Sequence, residues 1–284
     1  MGPQYGALSA WSTIGNSNYN AFTFSARQRL KGLTLDFNYT FSHSLDDASG
    51  LQTGSGYGTA FIQNPIRQRD NYATSDFDTK HSINANGVWE LPFGKGRAFM
   101  NSDHPLADAV LGGWQLSSVF RWNTGIPQTA PYDNARWATN WNAQANVTPT
   151  SPVHTCADHP ANGTPKLFGT GCNITAIYQS FRNAYPGETG PRNIFRLPSY
   201  ISLDFGIAKS FKMPWKEGHM LQLRLDAFNV ANHQSFNAID GSRTGFGVVR
   251  DPALRGSIPP TNWSNFTQID GRPREMQIQA RYSF

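Results

Sequence analysis

The residues best suited to chemistry sit in a few polar stretches. His154, Cys156, His159 and Cys172 could together offer nitrogen and sulfur ligands to a tetrahedral zinc ion. Their spacing matches no standard zinc motif. Two cysteines close in sequence within a Pro/Gly-rich connection read instead as a disulfide formed in an oxidising compartment, with a reduced pair as the alternative. Asp46-Asp47, and Asp76 with Asp78, could offer oxygens to calcium, a hard cation that takes about six to eight of them. Neither pair completes a calcium-loop pattern, so both read as solvated loop carboxylates. Gly54-Ser55-Gly56-Tyr57-Gly58 is glycine-rich, but no strand-to-helix transition follows, and it reads as a flexible loop. There is no Gly-x-Ser-x-Gly elbow, no His-Glu-x-x-His and no Walker loop. The expectation is a chain with no catalytic group, no resident metal and no cofactor, hence not an enzyme.

The other candidates are charges spread thinly along the chain: Arg27, Asp36, Glu90, Arg121, Asp204, Arg224, Asp226 and Arg281. Each falls on the polar phase of an alternating segment. Such residues can contact a ligand, or they can simply solvate a wall and pair across strands. The elements that hold them are strands, because the dominant period is two. It is cleanest from Leu33 to Ser42, where Leu33, Leu35, Phe37, Tyr39 and Phe41 alternate with Thr34, Asp36, Asn38, Thr40 and Ser42. Opposite faces must meet opposite solvents.

The pattern recurs around Phe22–Arg27, Ile83–Glu90, Trp114–Asn123, Ile201–Ile207, Leu221–Ala227 and Met276–Phe284, with Val88 breaking the rule. This predicts about seven strands of roughly ten residues, the length a tilted strand needs to cross a bilayer. Short and long connections alternate strictly. The turn at Lys31-Gly32, the link from Pro92 to Gly112 and the link from Lys212 to Gly218 are the shorter set. Ser44 to Lys80, Gly125 to Pro198 and Ala231 to Arg272 are the longer. Short periplasmic turns and long extracellular loops distinguish an outer-membrane barrel, and a soluble sandwich has no reason to put every long connection at one end. On that orientation the chain ends at the periplasmic rim. Aromatics mark strand ends at Trp89, Trp114, Trp122, Tyr282 and Phe284, with Trp215 in a short turn, as an interfacial girdle requires.

Composition agrees. Of the 284 residues 38% are hydrophobic and only 15% charged, while 13% are aromatic, too many rings for a disordered chain. The net charge of +5 is scattered rather than clustered, which argues against nucleic acid. Met1-Gly2-Pro3-Gln4 opens no signal peptide, and no apolar run is long enough for a transmembrane helix. Asn38-Tyr39-Thr40 and similar triplets fall partly in strands and read as composition, not glycosylation.

Several segments resemble the barrel of TonB-dependent transporters, specifically the Oar-like group with a carboxypeptidase-regulatory-like N-terminal domain. They are Asn18-Tyr19-Asn20-Ala21-Phe22 before the first strand and Tyr39-Thr40-Phe41-Ser42-His43-Ser44-Leu45-Asp46-Asp47 after the second. Then come Leu91-Pro92-Phe93-Gly94-Lys95-Gly96-Arg97, Gly112-Gly113-Trp114-Gln115-Leu116, Phe228-Asn229-Val230-Ala231-Asn232-His233 and Pro273-Arg274-Glu275-Met276-Gln277. Together they span nearly the whole chain, in order. Tyr282-Ser283-Phe284 resembles the signal read by the barrel-assembly machinery, although Gln279 stands where that signal often has a small residue.

The resemblance implies an all-β fold, an antiparallel transmembrane β-barrel segment in the bacterial outer membrane. Residues 1–284 would form the C-terminal part of a barrel of about 22 strands, since seven alone cannot close. Signal peptide, TonB box, plug and N-terminal domain would be missing from this stretch. The complete protein would import a large or scarce ligand (siderophore, glycan or peptide), coupled to the TonB complex through that missing part. The eight charges would then face plug or ligand in the lumen. Two other readings remain: a secreted β-sandwich binding carbohydrate through exposed Trp and Tyr, and a small autonomous barrel with an eighth strand hidden between Gly125 and Pro198.

Overall fold

The computed structural model describes residues 13–49, 62, 64, 67–100, 105–129, 132–133, 146–158, 160, 163–213, 215, 218–239, 248–249 and 258–284. The Gly54–Gly58 segment and His159 lie outside them. The architecture is one antiparallel meander of seven long strands: β1 (Ser17–Leu30), β2 (Leu33–Asp46), β3 (His81–Glu90), β4 (Trp114–Asn123), β5 (Tyr200–Lys212), β6 (Met220–Phe228) and β7 (Glu275–Ser283). Each strand pairs with its neighbours in sequence, and β1 and β7 form the two edges. A two-residue strand, Ala73–Thr74, extends the β2 margin at its extracellular end. β4 pairs directly with β5, so the Gly125–Pro198 connection inserts no strand between them.

The register converts alternation into two continuous faces. One row runs Leu30, Leu33, Trp89, Leu116, Ile207, Leu225, Ile278, each the direct partner of the next. A second runs Phe24, Tyr39, Ile83, Trp122, Ile201. The intervening row, Ser25, Asn38, Asn84, Arg121, Ser202, is polar throughout. A one-residue slip anywhere would swap the faces, so the register is tightly specified.

Among the described residues no second sheet packs on the apolar face. Phe22, Phe24, Leu223, Met276 and Ile278 stand 43–82% exposed. A soluble sandwich would press that face against a second sheet about 10 Å away. Here it is bare, as a lipid-facing wall must be. Val88 and Val119 sit on the polar face, opposite Thr34 and Asn86, which explains the break in pattern.

β1 and β2 are longer than the ten residues expected. Ser17 pairs with Asp46, so the Asn18–Phe22 and Tyr39–Asp46 segments lie inside the strands rather than beside them. Cross-strand pairing continues past the apolar belt because Asn18, Asn20, Ser42 and Ser44 can keep the ladder going in a polar setting.

Among charged residues of the seven strands, only Lys209 falls on the apolar phase. Its ammonium is not offered to lipid. It donates to the carbonyls of Gly112 and Val110, at the end of a short helix, α1 (Pro105–Leu111). Gly113, at φ +70°, lets that chain return so close to β5 that a Cβ would lie 2.4 Å from the Ser210 carbonyl.

The main buried cluster lies outside the sheet, in the long connections. Val147, Leu167, Phe168, Tyr178, Phe181, Phe195 and Leu197 from the β4–β5 connection pack with Phe236, Trp263 and Phe266 from the β6–β7 connection. Phe168 stacks on Trp263 at 5.2 Å, and Tyr178 meets the same indole edge-on. These stretches read as polar loops in the sequence, yet they build a folded extracellular cap. Their apolar residues are too sparse in any one window to show a period.

Candidate functional site

The eight charges expected to face the lumen do share one face of the sheet. Arg27 and Asp36 are direct register partners and form an ion pair. Arg224 Nε lies 2.8 Å from both oxygens of Asp226, two residues along the same strand. That pair lies over Gly206, where a Cβ would come 2.4 Å from the Asp226 carboxylate. Glu90 accepts from Arg97 of the following turn at 3.0 Å. Asp204 accepts the backbone N–H of Asn229 at 2.9 Å and a bond from Ser202 at 3.4 Å. Arg121 and Arg281 have no ion-pair partner among the described residues. The wall therefore pairs much of its own charge, and of the eight expected residues Arg121 and Arg281 are the cations without an ion pair among the described residues.

A second constellation lies at the extracellular ends, and the sequence reading missed its centre. Arg192 donates to the Asp46 carboxylate, to Ser49 Oγ at 3.0 Å and to the Asn71 carbonyl at 3.2 Å. Four residues on, Arg196 donates to the Asp78 carboxylate, to the Asp78 carbonyl at 3.1 Å and to the Gly125 carbonyl at 3.0 Å. Between them Asn193, at φ +56°, reaches the Thr74 carbonyl at 2.7 Å and Asp76 Oδ1 at 2.6 Å. The aspartates expected to be solvated are thus largely buried: Asp46, Asp47 and Asp78 are 4%, 3% and 1% exposed. Charges so buried need partners: Arg192 supplies one to Asp46 and Arg196 to Asp78, while Asp47 accepts from the backbone and side-chain N–H groups of Asn16. Nothing in a linear reading links Arg192 to Asp46, because 146 residues separate them.

This arginine latch fixes where the cap sits. Ser42, Ser44 and Asp46 belong to the polar phase of β2 and are buried, whereas Phe41 on the opposite phase stays 47% exposed. The long connection therefore folds over the luminal side of the strand ends and leaves the outer wall bare. Asp78 also accepts the Ser44 N–H at 2.6 Å, and His43 Nδ1 lies 3.2 Å away. Burial pushes its carboxyl up, but the Ser44 amide, Arg196 and His43 outweigh it and hold it below the usual carboxylate range. Elsewhere in the cap Arg182 grips Glu188 through two parallel bonds of 2.7 and 3.1 Å, which lowers the Glu188 pKa despite its partial burial. Cys156 and Cys172 are joined, their Cα atoms 6.0 Å apart, and tie the cap's outer strap. Among the described residues no group of His, Cys, Asp or Glu could hold a metal ion.

The motif residues leaving β6 act as a staple. Asn229 and Asn232 adopt positive φ. The Asn229 amide donates to the carbonyls of His233 and Arg272, both at 2.9 Å, while Asn232 Oδ1 accepts from the Arg274 N–H at 3.1 Å. This holds the exit of β6 beside the entry of β7. At the periplasmic rim His219 Nδ1 meets the Tyr282 hydroxyl at 2.6 Å, and Phe284 stands 94% exposed at the chain end.

No curated protein and no solved structure matches the chain. The profile of a family described as an outer membrane beta barrel domain does, over residues 1–277. An uncovered apolar wall, one-sided long loops and that match agree: this chain belongs to the outer membrane beta barrel domain family and is a protein of the bacterial outer membrane.

Proposed function

We propose that the chain is the C-terminal barrel portion of a TonB-dependent receptor that imports a large or scarce ligand such as a siderophore, glycan or peptide. The supporting observation is a seven-strand meander with both edges unpaired among the described residues, joined to an extracellular cap large enough to have its own core. Bare edges in hydrocarbon cost several kcal/mol per unsatisfied backbone group, so further strands must flank β1 and β7. A barrel that large needs a plug to keep the membrane sealed, and on this reading Arg121 and Arg281, on the luminal phase without an ion pair among the described residues, meet plug or ligand. On this reading the protein performs transport rather than catalysis, takes no cofactor and does not bind nucleic acid. Its assembly partner is the barrel-assembly machinery, engaged through Tyr282 and Phe284. The resemblance to the Oar-like group carries the same reading.

The test uses the complete protein in outer-membrane vesicles. Specific co-isolation with the purified periplasmic domain of TonB is expected. Failure to bind that domain, together with a permanently open pore in planar bilayers, would sink the proposal.

A further inference from the structure

We propose that residues 91–100 and 105–113, between β3 and β4, are a membrane-resting element, seated in the headgroup boundary of the phospholipid leaflet that faces the periplasm. The argument begins with Lys209. As the only charged residue on the lipid-facing phase of the seven strands, it should be intolerable there, yet it is 6% exposed. Its ammonium donates to the carbonyls of Gly112 and Val110 and lies 5.3 Å from the Trp114 ring and 5.2 Å from the Phe211 ring. Trp114, also on the lipid phase, donates its indole N–H to the same Val110 carbonyl at 2.8 Å. Both hooks pull the end of α1 over the outer wall of the barrel. The connection therefore leans toward lipid, not under the lumen.

Residues 92–99 are tied to that end. The Asp108 carboxylate accepts the Lys95 N–H at 2.6 Å, and Phe99 and Pro92 close a turn at 2.9 Å. Gly94 approaches Gly112 so closely that a Cβ would lie 2.6 Å from its Cα. Beside the exposed Lys95 and Arg97, this unit turns large apolar groups outward: Phe99 and Met100 are each 58% exposed and Val110 is 66% exposed. They continue the belt of Trp89 and Leu223, while Lys31 and Lys212 stand exposed at the same rim to meet phosphate. An apolar face edged by cations is the composition of an interfacial anchor. Lys209 is its positioning residue, turning a charge that lipid would reject into the hook that holds the element against the barrel.

The test places nitroxides at Val110→Cys and Phe99→Cys in the complete protein, reconstituted in phospholipid bilayers. Leu223→Cys serves as the belt reference and Ser151→Cys, exposed in the cap, as the aqueous reference. Collision with oxygen should be high and with a water-soluble nickel chelate low at both positions, matching Leu223. High collision with the chelate would place the element in water. Low collision with both probes would place it against another protein. Either result overturns the proposal. Lys209→Met should mobilise the Val110 nitroxide while leaving a Leu223 nitroxide unchanged, and an unaltered Val110 spectrum would remove Lys209 from the argument.

Discussion

Asp78 and Arg196 show how one contact positions an element far larger than itself. Arg196→Ala leaves a carboxylate that is 1% exposed without its guanidinium. Stranding one partner of a buried pair costs about 3–5 kcal/mol, and the lower end applies here because Arg196 keeps some contact with water. The cap should then become sensitive to protease while the barrel stays folded, and Asp78→Leu with Arg196→Met should restore most of the resistance. Acid tests the same contact. The folded-state pKa of Asp78 is depressed, so its contribution is complete above the ordinary carboxylate value of about 3.9 and is lost as pH falls through the lower folded value. Amide protection of Leu197, whose N–H donates to the Ile126 carbonyl beside the latch, should decline below about pH 4 and not between neutrality and that point. The sequence displayed the aspartates but not their fate, because burial depends on chain 118 residues away.

At the scale of elements the alternating segments were legible because each strand meets two solvents. The strand at Met220–Phe228 offers a direct comparison. Leu223→Arg puts a charge on the lipid phase and should destabilise, by less than the ~2–4 kcal/mol of a midplane site because Leu223 pairs with Lys209 toward the rim, whereas Gln222→Arg on the luminal phase should be close to neutral. Urea titration of folding into lipid vesicles measures both, and equal costs would contradict the facing. Strand lengths were less legible. β1 and β2 extend to Ser17 and Asp46 because polar pairs sustain the ladder beyond the bilayer, where hydrophobic alternation no longer reports pairing. Lys209 was also illegible: on the apolar phase a lysine reads as an error until α1 is seen to receive it.

For the whole molecule, the main division is between a wall stabilised by lipid and a cap stabilised by its own core. Trp263, 1% exposed between Phe168 and Tyr178, is the centre of that core. Trp263→Ala should cost the cap about 3–5 kcal/mol. Calorimetry should show a cap transition that moves to lower temperature while the barrel transition holds. A single transition shifting as one would mean that the two parts fold together. What the amino-acid order determined by itself was the strand count, the facing of each strand and the side of the membrane that holds the long connections. All three follow from local contrast between apolar and polar neighbours, which survives in one dimension. What the tertiary structure alone decided was the cap: its shared core, the Arg192 and Arg196 latch that draws it over the luminal side, and the hook at Lys209. Those depend on groups brought together across a hundred residues or so, where no short-range pattern records which charge will meet which.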